Sequence, residues 1–179
     1  MTGYYKNPEK TAEVLSEEGW LNTGDLVLFT HDGEFRIVGR SKETIVLLGG
    51  ENIEPQPIED AILQSPSIDQ VMVVGQDQKF LDALVYPNQD QLAAFAGENE
   101  IEFVEQEDLL DHELVLAHLH REIQDRVNAK NGFKAFEQVF RIHILRTPFE
   151  VGEELTQTMK IRRAVVHDRY RREIEALFK

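Results

Sequence analysis

Two apolar runs, DLVLFT and EFRIVG, flank His31-Asp32-Gly33, and an Asp-Gly pair between such runs is a strong signal for a β-hairpin. Ahead of it the only regular element is a short helix. Asn7 provides an N-cap, Pro8 fits the first helical position, and Gly19 is expected to close the helix. One helix and one hairpin cannot enclose a core, and an isolated hairpin leaves strand edges unpaired. Roughly the first 40 residues therefore read as the edge of a larger body, and whatever core the chain has must come from the residues beyond them.

From Ser41 the pattern changes. ETIVLL reads as a strand, GGEN as a turn, and PQPIEDAILQS as a short helix with Ile58, Ile62 and Leu63 on one side. IDQVMVVGQ and FLDALVYPN are apolar strands expected to pair across DQK. DQLAAFAGEN is helical, and EDLLDHELVLAHLHREIQDRVNAKNG reads as a second helical stretch stopped by Gly132. FEQVFRIHIL alternates like a strand, and KIRRAVVHDRYRREIEALF forms a final amphipathic helix carrying Ile161, Val165, Ile174 and Leu177. This order of strands and helices predicts a small α+β domain from about residue 42 to the end.

The composition sets limits on function. The formal charge of −14 disfavours a nucleic-acid surface. No apolar run is long enough to span a bilayer. Cysteine is absent, which excludes disulfides and thiolate metal sites and permits a cytoplasmic location. The charge is uneven: residues 160–179 hold seven Lys/Arg against three Asp/Glu, leaving −18 on residues 1–159. A basic end on an acidic body fits either a solvated helix face or contact with something anionic.

Several residues admit two readings each. Asp25 follows a Thr-Gly turn; it either caps local amides or accepts both hydroxyls of a ribose. Arg40, after the strand-ending Gly39, either pairs with a nearby acid or forks onto phosphate or ribose oxygens. Gly49-Gly50 is a tight turn, or a point where backbone approaches a ligand closely. Lys42 reads as a surface lysine. Lys160, beside a cluster of arginines, is a helix-entry lysine or a mobile cation for an anionic reacting centre. His112, His118 and His120 lack the i,i+4 spacing of a helical metal pair, so no metal site is expected.

Taken together, GYYKNPEKTAE, GWLNTGDL, DGEFRIVGRSKETIVLLGGENIEPQPIE and LTQTMKIRR resemble the carboxy-terminal portion of the adenylate-forming acyl-CoA synthetase superfamily. RTPFEVGEELTQTMKIRR is most similar to the long-chain fatty acyl-CoA synthetase branch. The motifs run in order over nearly the whole chain, while residues 76–145 match only in type.

The resemblance implies a small mobile C-terminal lid domain over residues 42–179, preceded in 1–41 by the helix and hairpin that end the large domain. It implies that Asp25 and Arg40 bind ATP and the acyl-adenylate, and that Lys42 is the hinge. Gly49 and Gly50 would line the path of CoA's pantetheine arm, and Lys160 would be the catalytic lysine of adenylation. Gln157 stands where related sequences often carry proline. No phosphate loop occurs in the chain, and GGENIEP lacks the lysine of a P-loop. The chain is thus expected to be a fragment, inactive alone and free of bound cofactor. Its partners would be the missing large domain with fatty acid, ATP, Mg2+ and CoA, or a second copy in a homodimer. The location expected is cytoplasmic, peripheral to a membrane through the missing domain. Two alternatives stay open: an aryl- or amino-acid-adenylating enzyme, and a non-catalytic module that docks a partner.

Overall fold

In the computed structural model, which describes residues 1–179, the Asn7 side chain accepts the Lys10 N–H at 3.0 Å and starts helix α1 (Pro8–Val14). Proline at the first helical position loses nothing, since that N–H has no partner within the helix. The helix stops earlier than Gly19. Leu15 turns extended and bridges to Leu21, while Gly19, at φ +88°, closes a separate turn onto Ser16.

Strands β1 (Asp25–Phe29) and β2 (Phe35–Arg40) form the expected antiparallel hairpin, with Asp25 opposite Arg40 and Phe29 opposite Phe35. Gly33 takes φ +83° in the connecting turn, the conformation that selects glycine there. Trp20, Leu28, Phe29, Phe35 and Ile37 are exposed, and Gly39 is the only buried residue of this unit. The unit comprises Met1–Glu43; a second unit comprises Thr44–Lys179.

The second unit is built on a three-stranded sheet of order β5-β6-β7. It is preceded by two short strands, β3 (Ile45–Val46) and β4 (Asn52–Ile53), and by helix α2 (Pro55–Ile62). Strands β5 (Ile68–Val74) and β6 (Leu81–Pro87) are antiparallel, and β7 (Val139–Ile144) runs parallel to β6. Side chains alternate across a strand, so the two faces collect different residues. Val71, Val73, Ala83 and Val85 pack with Ile58 and Ile62 of α2, and with α3 (Gln89–Glu98) and α4 (Glu113–Arg126). Met72, Val74 and Leu84 pack on the other face against Leu145, Phe149 and Leu155, with α5 (Arg163–Arg169) and α6 (Arg171–Leu177). Each fully buried aliphatic side chain contributes about 1.5–3 kcal/mol, which two clusters of this size multiply.

The free edge of β5 is covered rather than open. Glu59 of α2 accepts the Val73 N–H at 2.7 Å and pairs with Arg163, whose guanidinium also donates to the Val73 carbonyl at 3.0 Å. In the central strand Asp82 is wholly buried. Its Oδ1 accepts the Arg141 N–H at 2.8 Å and its Oδ2 has no partner. Burial pushes this carboxyl up to about 6 against the opposing pull of Arg141.

Four sequence expectations need correction. ETIVLL is a strand only at Ile45–Val46, because Leu47 already accepts the Gly50 N–H that closes the next turn. Helix α2 ends at Ile62, and Leu63 lies exposed, one step round the helix from the buried Ile58/Ile62 face. The stretch from Gln106 to Asn131 is three pieces, a 3-10 turn (Gln106–Asp111), α4 and a second 3-10 turn (Ala129–Asn131). His112 caps α4 instead of continuing a helix, and the Asn128 side chain takes the N–H groups of Lys130 and Asn131. The last helix breaks at Tyr170 into α5 and α6; Ile161 precedes it, and Val166 rather than Val165 is the buried valine.

Candidate functional site

Asp25 and Arg40 are brought together by the hairpin register. They sit opposite each other at its open end, and Arg40 Nε lies 3.4 Å from Asp25 Oδ1. The turn before them is fixed by side chains: Asn22 accepts the Gly24 N–H at 3.0 Å and Thr23 the Asp25 N–H at 3.2 Å. Gly24 at φ +72° permits that bend. The result is an acceptor and a forked donor on one exposed strand end, a combination able to hold ribose hydroxyls and phosphate oxygens. Lys42 comes next, in an exposed turn in which the Glu43 N–H donates to the Arg40 carbonyl at 2.8 Å.

In the second unit Gly49 and Gly50 form the turn between β3 and β4. The Gly50 N–H donates to Leu47 at 2.9 Å, and Leu47 in turn donates to Glu51 at 3.0 Å. Gly50 has φ +87° with open space where a side chain would go. Gly49 differs: a Cβ there would collide with the Glu51 carboxylate, which lies over it. The turn is tied to the β5–β6 connection through Leu48 N–H to Gln78 and Asp77 N–H to Val46.

Lys160 lies on the returning leg of a closed finger, opposite Thr156. Leu155 and Ile161 form an antiparallel bridge at its base. Above that bridge the Thr156 N–H donates to the Lys160 carbonyl at 2.8 Å, and the Lys160 N–H returns to Thr156 Oγ1 at 3.0 Å. Met159 adopts φ +62° to complete the turn, a left-handed conformation that costs a non-glycine residue about 1–2 kcal/mol. The Lys160 side chain is exposed and makes no ion pair, although the chain carries a charge of −14. An exposed, unneutralised cation is what can answer charge developing on a phosphate oxygen.

The three histidines of the α4 region have separate partners. His112 Nδ1 accepts the Leu114 N–H, His118 bonds Ser67 and stacks on Phe95, and His120 reaches the Phe140 carbonyl. No group of three or more His, Asp or Glu side chains converges to hold a metal.

A protein-family model described as the AMP-binding enzyme C-terminal domain matches residues 42–179. The chain belongs to that family. Over its whole length it is 39% identical to the probable acyl-activating enzyme 16, chloroplastic, of Arabidopsis thaliana, of which it covers 26%. With long-chain-fatty-acid–CoA ligase 1 of Cavia porcellus the identity is 35%, covering 98% of this chain and 25% of that protein. Among solved structures, the A domain of carboxylic acid reductase from Segniliparus rugosus, in complex with AMP and a co-purified carboxylic acid, superposes with a TM-score of 0.82. The identity is 31%, over 99% of this chain and 26% of that one. The α+β architecture is thus that of an adenylating enzyme's C-terminal part, and the chain spans about a quarter of its curated relatives.

Within this family fold, sequence reasoning missed the residues that root the Lys160 finger. Glu154 is 1% exposed and pairs with Arg169 of α5; its Oε2 accepts the Glu150 N–H at 3.1 Å and its carbonyl the Arg162 N–H at 2.7 Å. Burial works to raise this carboxyl, but the backbone N–H groups of Glu150 and of Glu154 itself, with the Arg169 guanidinium, outweigh it and hold it below the usual range. No local signal distinguishes Glu154 from Glu150 or Glu153; its burial depends on α5 folding back.

Proposed function

We propose that this chain is the C-terminal portion of a fatty acid–CoA ligase. In that enzyme a carboxylate oxygen of the fatty acid attacks the α-phosphorus of ATP, and the bond to the bridging oxygen breaks as pyrophosphate leaves with its electron pair. The CoA sulfur then attacks the acyl carbon, the C–O bond to AMP breaks, and the thiol proton is lost to solvent. The observation that carries this reading is the unpaired Lys160 ammonium on its hydrogen-bonded finger.

Each residue has a role in these steps. Asp25 accepts the ribose hydroxyls, and Arg40 holds nucleotide oxygens once its contact with Asp25 opens. Lys160 stabilises the charge that grows at the α-phosphate during adenylation. The turn at Gly49 and Gly50 stays slim where the pantetheine arm passes, and rotation about Lys42 exchanges one face for the other. Residues 1–41 act as the tail of the nucleotide-holding domain and 42–179 as its lid. Magnesium would supply charge neutralisation on the ATP phosphates during adenylation. No helix is long and apolar enough to cross a membrane. We place the ligase in the cytoplasm, peripheral to the membrane, with the large domain or a second copy of the chain over the apolar hairpin.

The test is a graft of residues 1–179 into long-chain-fatty-acid–CoA ligase 1 of Cavia porcellus, in place of the matching 25%. With Lys160→Ala, pyrophosphate exchange should fall a few hundredfold, equivalent to about 3–4 kcal/mol for one preorganised contact. Conversion of supplied acyl-AMP to its thioester should be retained. Loss of neither step, or of both equally, contradicts the assignment.

A further inference from the structure

A lysine on a finger acts only if the finger points the right way. The hydrogen bonds between Thr156 and Lys160 fix the finger's internal shape, not its direction. Direction is set at the root. There the Glu154 carbonyl accepts the Arg162 N–H, and the Arg162 guanidinium donates to the carbonyls of Gly152 and Glu153 at 3.2 and 2.9 Å. The incoming segment is also clamped, since Phe149 exchanges two hydrogen bonds with the Gln70 side chain on β5.

The anchor between root and helix is one buried carboxylate. Glu154 is 1% exposed, yet Arg169, which reaches it from α5, is half exposed and also bonds Glu153 at 2.7 Å. A buried carboxylate that loses its cation is costly, so the pair resists separation in a way that surface pairs do not. Glu154 also holds residues on either side of the finger: its side chain accepts the Glu150 N–H before it and its carbonyl the Arg162 N–H after it. One residue therefore joins the two legs of the finger to the helix behind them.

We infer that Glu154 and Arg169 are positioning residues that aim Lys160 at the reacting phosphate, an inference that rests on the adenylating role proposed for Lys160. Neither touches a reactant. Their effect belongs to the adenylation step alone, because a misaimed finger leaves the Gly49–Gly50 turn, part of a separate hairpin, as it was. Placing a catalytic group wrongly by as little as an ångström costs on the order of a hundredfold in rate.

Three disrupting variants and one conservative control, Arg169→Lys, test this in the same graft; the three are Glu154→Gln, Arg169→Met and the pair together. Each should lower kcat for pyrophosphate exchange by at least about tenfold, with KM for ATP within about twofold of the unmodified graft. The double variant should be no worse than either single one. Thioester formation from supplied acyl-AMP should be unchanged, and Arg169→Lys, which keeps the charge, should recover most of the loss. In the 179-residue chain itself, Glu154→Gln should speed amide exchange at Glu150 and Arg162 at least about fivefold while Val71–Val74 stay protected.

If Lys160→Ala abolishes exchange but Glu154→Gln does not, the positioning role is wrong and the function stands. A parallel fall in both half-reactions with loss of protection across β5 also overturns it, since that marks simple destabilisation. Full activity of Lys160→Ala removes the proposed function itself, and this inference with it.

Discussion

The two units of this chain solve opposite problems. Thr44–Lys179 places helices on both faces of a three-stranded sheet and buries two apolar clusters. Met1–Glu43 buries only Gly39 and leaves Trp20, Leu28, Phe29 and Phe35 in solvent. Yet the unit without a core carries the acid–base pair of Asp25 and Arg40, and the unit with one carries Lys160 on an exposed finger. The buried apolar clusters of the chain thus lie in one region, while the groups proposed to meet a nucleotide come from each.

The sharpest way to break this contrast is to remove apolar contacts from each region in turn. Leu119 of α4 is fully buried, so Leu119→Ala should destabilise the chain by about 2–5 kcal/mol. Phe29→Ala removes a larger side chain from an exposed position and should change stability by no more than about 0.5 kcal/mol. Urea unfolding monitored by circular dichroism measures both. Equal losses would mean that the hairpin shares the core.

A smaller effect sharpens the picture within the second unit. The Asp82 carboxyl is raised from 3.8 to about 6 by burial. Its neutral form is therefore favoured by the folded state, and the stability it brings is complete below about pH 4 and lost as pH rises through about 6. The full span corresponds to about 3 kcal/mol. Asp82→Asn should accordingly be more stable than the native chain at about pH 8 and about equal to it at about pH 4, measured by urea midpoints. A variant less stable at the higher pH would show that the ionised carboxylate is needed by Arg141, which donates its N–H to it.

Much of this arrangement was legible in the sequence because it rests on local chemistry. Asp32-Gly33 between apolar runs specified the first hairpin, and uninterrupted apolar runs specified β5 and β6. Asp25 and Arg40 came together because the hairpin register does it without help from elsewhere. What escaped was decided by side chains competing with the backbone or by distant contacts. His112 and Asn128 each took backbone N–H groups and broke what read as one helix. The last helix buries Val166 rather than Val165 and breaks at Tyr170 into two pieces. Glu154 looked like any other acid in an acidic stretch, and only the fold-back of α5 makes it a buried anchor.

The proposed division of nucleotide contacts between Asp25 and Lys160 is tested most directly by comparing Asp25→Ala with Lys160→Ala in the grafted enzyme. AMP affinity is read by calorimetry and adenylation by pyrophosphate exchange. Asp25→Ala should weaken AMP binding by about 1.5–3 kcal/mol, roughly ten- to a hundredfold, because hydrogen bonds to a charged acceptor are lost in the ground state. Lys160→Ala should leave AMP affinity within about twofold and lower kcat a few hundredfold, because its contact strengthens only as charge develops. If Lys160→Ala weakens AMP binding as much as Asp25→Ala does, or if Asp25→Ala leaves AMP binding unchanged, the account is contradicted.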